Sequence, residues 1–251
     1  PVPTDVKIAL IDRLSAAGFA NIEATSFVSP KWVPQMADGA EVMAGIARRP
    51  GTIYSVLTPN MRGFEGAVAA KADEVVIFAA ASEAFSQRNI NCSIAESIER
   101  FRPVAEAAKA HGMKMRAAVS CALGCPYEGE VSLDAVEDVV QRLLDIGSDH
   151  IGIADTIGVG TPLKVQRAIE ATLAHYDIDH ISGHLHDTYG PVPYTHLRAH
   201  ETYRNLVCRL LLEKKNYTHL RPHETRSRSY AFFSLTQLTH SSPYYPTSAS
   251  K

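Results

Sequence analysis

The sequence predicts an α/β fold, a TIM or (β/α)8 barrel, and three observations carry that expectation. Near-continuous apolar runs of strand length recur through residues 1–190, amphipathic helical stretches separate them, and each run ends in polar side chains. Apolar strands with helices between them belong to a parallel sheet covered by helices. The polar ends are Glu23 to Ser26, Thr58, Ser82, Ser120-Cys121, Asp155-Thr156 and the pair His184 and His186. A barrel gathers its chemistry at those C-terminal strand ends. An open doubly wound sheet is the alternative, weakened because no Gly-x-Gly-x-x-Gly follows the first strand.

The elements follow in order. A helix over 5–17 stops at Gly18, and the first strand falls at 22–27. The second and third strands fall at 54–58 and 74–79. Ser93 before Ile94, with Glu96 three residues on, is a capping-box start for a helix over 94–111, which Gly112 closes. The fourth strand spans 114–121. Ser132 then opens a helix over 133–146 that Gly147 ends. A fifth strand at 150–155, a helix over 162–175 and a sixth strand at 181–187 complete the regular part.

Bulk properties narrow the function classes. The 251 residues suffice to bury a sizeable core, as one barrel or as one to two smaller domains. Hydrophobic content of 45%, charged content of 21% and a net charge of −2 give no electrostatic case for nucleic acid or an anionic membrane as partner. No apolar run approaches the ~20 residues of a membrane span. Cys92, Cys121, Cys125 and Cys208 have neither zinc-ribbon nor disulfide-scaffold spacing. Reduced thiols in a cytoplasmic compartment, or a mitochondrial matrix in a eukaryote, are the expectation.

His184-Leu185-His186-Asp187 is the candidate metal site. On a strand, side chains at i and i+2 point to one side, so both imidazoles reach one divalent ion. Ordinary surface or core histidines are the bland alternative. Glu23 and Asp155 stand at the ends of two other strands. Each is a candidate acid or base, set against a carboxylate filling a barrel layer (Glu23) or capping the next turn (Asp155). Cys121 and Cys125 read as loop-packing thiols rather than a redox pair. Lys31 and Arg88 are candidates for the phosphates of a ligand, with solvated surface charge the alternative.

Several segments, taken together, resemble the 3-hydroxy-3-methylglutaryl-CoA lyase family. They are Ile22-Glu23-Ala24-Thr25-Ser26-Phe27-Val28-Ser29-Pro30-Lys31-Trp32-Val33-Pro34, Asn89-Ile90-Asn91-Cys92-Ser93, Ser120-Cys121-Ala122-Leu123-Gly124-Cys125-Pro126-Tyr127, Asp155-Thr156-Ile157-Gly158 and Gly183-His184-Leu185-His186-Asp187. The His-x-His-Asp and Asp-Thr-x-Gly pieces are shared with a wider superfamily of condensing enzymes, which join acetyl-CoA to α-keto acids. The Ser-Phe-Val-Ser-Pro-Lys-Trp piece is narrower and points to the lyases. The resemblance implies a TIM barrel that cleaves a CoA thioester into acetoacetate and acetyl-CoA with Mg2+ or Mn2+, in leucine degradation and ketone-body formation. It implies His184 and His186 as metal ligands, Glu23 and Asp155 as catalytic or orienting carboxylates, and a homodimer. Ala118 stands where many relatives carry an aromatic residue.

The same resemblance implies a strand with Arg-Asp-Gly-Leu-Gln ahead of Pro1, and an eighth strand with a Gly-rich cysteine loop and an Asn ligand after Gly190. Neither occurs in these residues, so the expectation is an incomplete barrel of about six of the eight strands, truncated at both ends and with little or no activity as it stands. A partial barrel domain at 1–190 is then followed by a non-native or disordered tail at 191–251. That tail has no glycine or aspartate and carries nine Lys and Arg against three Glu. Tyr194-Thr195-His196-Leu197-Arg198-Ala199-His200-Glu201-Thr202 recurs with one change from Tyr217 to Thr225. The tail resembles translated sequencing adapter; a basic RNA-binding arm or another non-catalytic fragment is the alternative.

Overall fold

The computed structural model describes residues 2–186 together with the backbone of two short segments, 208–210 and 230–231. The tail repeats, with His196, His200, His219 and His223, and residues 187–190 lie outside the described residues.

Six parallel strands form the body of one sheet: β1 (Asn21–Ser26), β2 (Ile53–Leu57), β3 (Glu74–Ala80), β4 (Lys114–Ser120), β5 (His150–Ala154) and β6 (Ile181–Leu185). They lie side by side in chain order, with β7 (Cys208–Leu210) beside β6 and β8 (Tyr230–Ala231) beside β1. Every described pairing is parallel. The crossovers are made by α1 (Thr4–Ala16), α2 (Gly39–Gly45), α3 (Met61–Ala69), α4 (Glu83–Ile90), α5 (Ile94–Ala110), α6 (Leu133–Asp145) and α7 (Pro162–Thr172). The architecture is the barrel-like α/β fold expected, and each strand begins and ends within two residues of its expected place.

The strands are buried on both sides for different reasons. Odd-numbered positions of β3 to β6, such as Val75, Ile77, Met115, Ala117, Ile151 and Ile153, pack under the helices in one apolar core. That burial is the main stabilising term. Even-numbered positions of β3 to β6, with Asn21 and Glu23 on β1 and Ser55 on β2, face the barrel interior and begin with a polar layer. Asn21 Nδ2 donates to Glu74 Oε2 at 3.0 Å, and Ser55 Oγ donates to Asn21 Oδ1 at 3.2 Å. Arg116 pairs with Glu74, and His150 Nε2 meets Ser182 Oγ at 3.0 Å. Buried charge survives only when paired and hydrogen-bonded, and this layer supplies both.

Helix starts match their sequence signals. Ser93 and Glu96 form the capping box, with Glu96 N–H donating to Ser93 Oγ at 3.1 Å and Ser93 N–H to Glu96 Oε2 at 2.8 Å. Ser132 and Thr161 cap α6 and α7 by accepting from Ala135 N–H and Lys164 N–H. The sequence named no helix at α2, α3 or α4. Glycines mask the first two, because glycine is a poor helix former. Their reason is contact: a Cβ on Gly39 would lie 2.9 Å from Thr25 Oγ1, and one on Gly66 would lie 2.8 Å from Phe27 Cδ1.

Candidate active site

His184 and His186 share the interior face of β6 with Ser182, and both are half-buried. Their rings stand edge to face, with centroids 5.0 Å apart, and the two Nε2 atoms converge to 3.2 Å. Two N–H groups cannot face each other at that distance, so at least one Nε2 offers a lone pair. Two nitrogens each about 2.1 Å from one octahedral cation, at right angles, stand about 3.0 Å apart. The donor atoms therefore fit a divalent ion as two of its ligands. Among the described residues no group of three or more His, Cys, Asp or Glu is clustered for metal binding, so here the pair could supply two ligands and no more.

Asp155 sits directly beyond β5, fully buried, and its N–H donates to the carbonyl of His184 at 2.8 Å. That bond ties the end of β5 to the histidine strand. Its carboxylate turns into the following loop. Oδ1 accepts from Val159 N–H at 3.0 Å and Oδ2 from Gly160 N–H at 2.8 Å. A Cβ on Gly160 would lie 2.7 Å from Asp155 Oδ2, so glycine allows the loop to close on the carboxylate. The capping alternative for Asp155 is thus what its hydrogen bonds perform.

The loop after β4 is locked against its neighbours. Cys121 N–H donates to Thr156 Oγ1 at 2.7 Å, and Ala122 N–H to the Ala154 carbonyl at 3.2 Å. Cys121 takes a left-handed φ of 58°, and burial pushes its thiol up to about 12. Cys125 Sγ lies 2.9 Å from Ser82 Oγ, and Cys125 and Gly129 exchange backbone hydrogen bonds. Cys92, Cys121 and Cys125 are all buried and free, and Cys121 and Cys125 pack in the loop after β4. Arg88 stacks over the Tyr127 ring at 4.4 Å. Lys31 is exposed, and its neighbour Trp32 is 87% exposed.

Glu23 lies half-buried on β1 beside Ser55. The register of β1 slips between Glu23 and Thr25, so Glu23 stands opposite Ser55 and Ser26 opposite Leu57. A bulge of this kind re-aims side chains. Glu23 and Ser26 both face the interior, three residues apart instead of two. Ala118 lies on the same interior face, on β4.

A family profile described as HMGL-like matches residues 1–192. The chain belongs to the HMGL-like family. Among the family's members, a hydroxymethylglutaryl-CoA lyase of Bos taurus mitochondria is 56% identical over 189 residues, which are 75% of this chain and 58% of that protein. A 3-hydroxy-3-isohexenylglutaryl-CoA/hydroxy-methylglutaryl-CoA lyase of Pseudomonas aeruginosa is 54% identical over 190 residues, 76% of this chain and 63% of its own. The crystal structure of the HMG-CoA lyase from Brucella melitensis superposes with a TM-score of 0.78 at 52% identity, covering 82% of this chain and 72% of that one. An Acinetobacter baumannii HMG-CoA lyase, solved with coenzyme A and 3-methylmalate, gives 0.76 at 37% identity over 80% of this chain and 66% of its own. The chain thus spans about three fifths of the length of the first two relatives. These HMGL-like structures share the parallel barrel sheet that carries Glu23, Asp155 and the histidine pair here.

Proposed function

We propose that these residues form the larger part of a metal-dependent carbon–carbon lyase that cleaves 3-hydroxy-3-methylglutaryl-CoA to acetoacetate and acetyl-CoA. The observation that carries the reading is the convergence of His184 Nε2 and His186 Nε2 to 3.2 Å at the C-terminal end of β6, in an HMGL-like chain. A bound Mg2+ or Mn2+ would supply positive charge that acidifies the tertiary alcohol and steadies the oxygens of the acyl group. His184 and His186 would hold that ion through Nε2. Glu23 accepts the alcohol proton as general base. The carbon–carbon bond then breaks, its electron pair passing to the thioester side as an enolate, while the alcohol oxygen becomes the ketone of acetoacetate. Protonation of the enolate carbon gives acetyl-CoA. Asp155 holds the 156–160 loop closed with its two N–H bonds and, through its own N–H, fixes the end of the histidine strand.

The substrate is a CoA thioester, the assembly a homodimer, and the compartment a reducing one, cytoplasmic or mitochondrial. Support for the compartment comes from three buried free cysteines and from relatives named for both places. Among the described residues no helix is long and apolar enough to cross a membrane. The test joins residues 1–190 to the flanking segments of the Pseudomonas aeruginosa relative and assays cleavage. Equal acetoacetate and acetyl-CoA, abolished by a chelator and by His184→Ala, are expected. A folded chimera without metal-dependent cleavage would overturn the reading.

A further inference from the structure

The bulge in β1 delivers a second polar side chain to the barrel interior beside Glu23. Ser26 stands in register with Leu57, which shares the inward face of Ser55. Ala24 and Thr25 turn the other way: Ala24 is in the outer core, and Thr25 Oγ1 lies beneath Gly39 of α2. Ser26 is 7% exposed, and its Oγ has no hydrogen-bond partner among the described residues. Other buried serines bond inside the protein. Ser55 Oγ donates to Asn21, Ser86 Oγ to the Cys92 carbonyl at 2.8 Å, and Ser97 Oγ to the Ile94 carbonyl at 2.6 Å. A buried hydroxyl without a partner is disfavoured and calls for an explanation at that position.

On the two strands next along the sheet, the interior positions in register with Ser26 offer it no acceptor side chain. Leu57 on β2 and Val76 on β3, in register with Ser26, are apolar; Arg116, their partner on β4, turns to Glu74, and Ala118, the next interior position on β4, is apolar, whereas polar groups return at His184 and His186 on β6. The face thus carries oxygen-binding groups on two edges and an apolar wall between them. That pattern suits a short acyl chain with an alkyl centre and oxygens at its ends. We infer that Ser26 is a substrate-contacting residue whose hydroxyl donates a hydrogen bond to an oxygen of the acyl group, and not to the nucleotide part of coenzyme A. The inference rests on the lyase reading above and deepens it.

The test titrates the full chain, saturated with Mn2+, with 3-hydroxy-3-methylglutarate and separately with unacylated coenzyme A, by calorimetry. Ser26→Ala is expected to weaken the dicarboxylate about tenfold, the worth of one hydrogen bond, and to leave coenzyme A unchanged. Its thermal midpoint should hold or rise, because no internal bond is lost. Ser55→Ala, which removes an internal bond, should lower the midpoint and keep both affinities. Unchanged dicarboxylate binding in Ser26→Ala overturns the inference and leaves the lyase reading standing. So does a fall in coenzyme A affinity instead, or a lowered midpoint that betrays an internal partner. If the unaltered chain binds neither probe, the reading of the site fails and the inference falls with it.

Discussion

His184 and His186 were legible in the sequence because a strand places i and i+2 on one side, and the flanking apolar run marks the strand. Their meeting atoms were not legible, since ring rotation decides whether Nε2 or Nδ1 converges. Replacing either histidine by alanine should weaken Mn2+ binding by about tenfold or more, the scale seen for disturbed metal shells, as read by electron paramagnetic resonance. Asp155 shows the opposite case. Its place at a strand end is in the sequence, but its two bonds to Val159 and Gly160 depend on how the loop folds back. Ser26 is legible as a polar strand end, but its inward turn is not, because a bulge leaves no mark in a run of alternating residues. At Cys121 burial keeps the folded thiol protonated to about 12, against an ordinary value of 9.0. The folded state therefore holds the additional proton between those values, and stability is lost as pH rises from 9 toward 12. Iodoacetamide should accordingly leave Cys121 unlabelled in the native chain at pH 8 and label it in urea, which mass spectrometry distinguishes.

Among the elements, strands and the later helices were readable for a common reason: each has its own local signal. Capping serines open α5, α6 and α7, if Thr161 is counted with them, and near-continuous apolar runs mark the strands. Helices α2 and α3 were hidden because their glycines serve neighbours far along the chain. A Cβ on Gly63 would lie 2.9 Å from Pro59 Cδ and 3.1 Å from the Phe27 carbonyl. Gly63→Ala should gain helix propensity yet lose more to that clash, a net destabilisation of about 1 kcal/mol in urea denaturation. The loop between β1 and α2 is held by a long-range tie as well. Lys7, 3% exposed on α1, donates to both Asp38 oxygens at 2.7 and 2.9 Å, and Thr4 Oγ1 donates at 2.7 Å. Burial works to raise the Asp38 carboxyl, but the Lys7 ammonium and Thr4 hydroxyl outweigh it and hold it below its ordinary value of 3.8. That contribution is present above pH 3.8 and is lost as pH falls through the lowered value. Lys7→Met strands a carboxylate and should cost about 3 kcal/mol at neutral pH.

Across the described residues, the parallel sheet in chain order follows from apolar strands alternating with helices, and its half-barrel form has a polar interior layer that only inward-facing side chains can build. Asn21, Ser55, Glu74 and Arg116 come from four strands, so their network is a property of the assembled sheet and invisible in any one segment. The same sheet carries Glu23, Ser26 and the histidine pair on its interior face, and the loops at 121–130 and 155–160 are tied by Cys121 N–H on Thr156 and Gly160 N–H on Asp155. The account turns on the histidine pair as the metal edge of that face. The most direct test is calorimetric titration of Mn2+ into the full chain and into the His184→Ala/His186→Ala double variant. Binding of one ion per chain, lost in the double variant while the thermal midpoint holds, is the expected result. Equal binding by both proteins, or none by the unaltered chain, would contradict it.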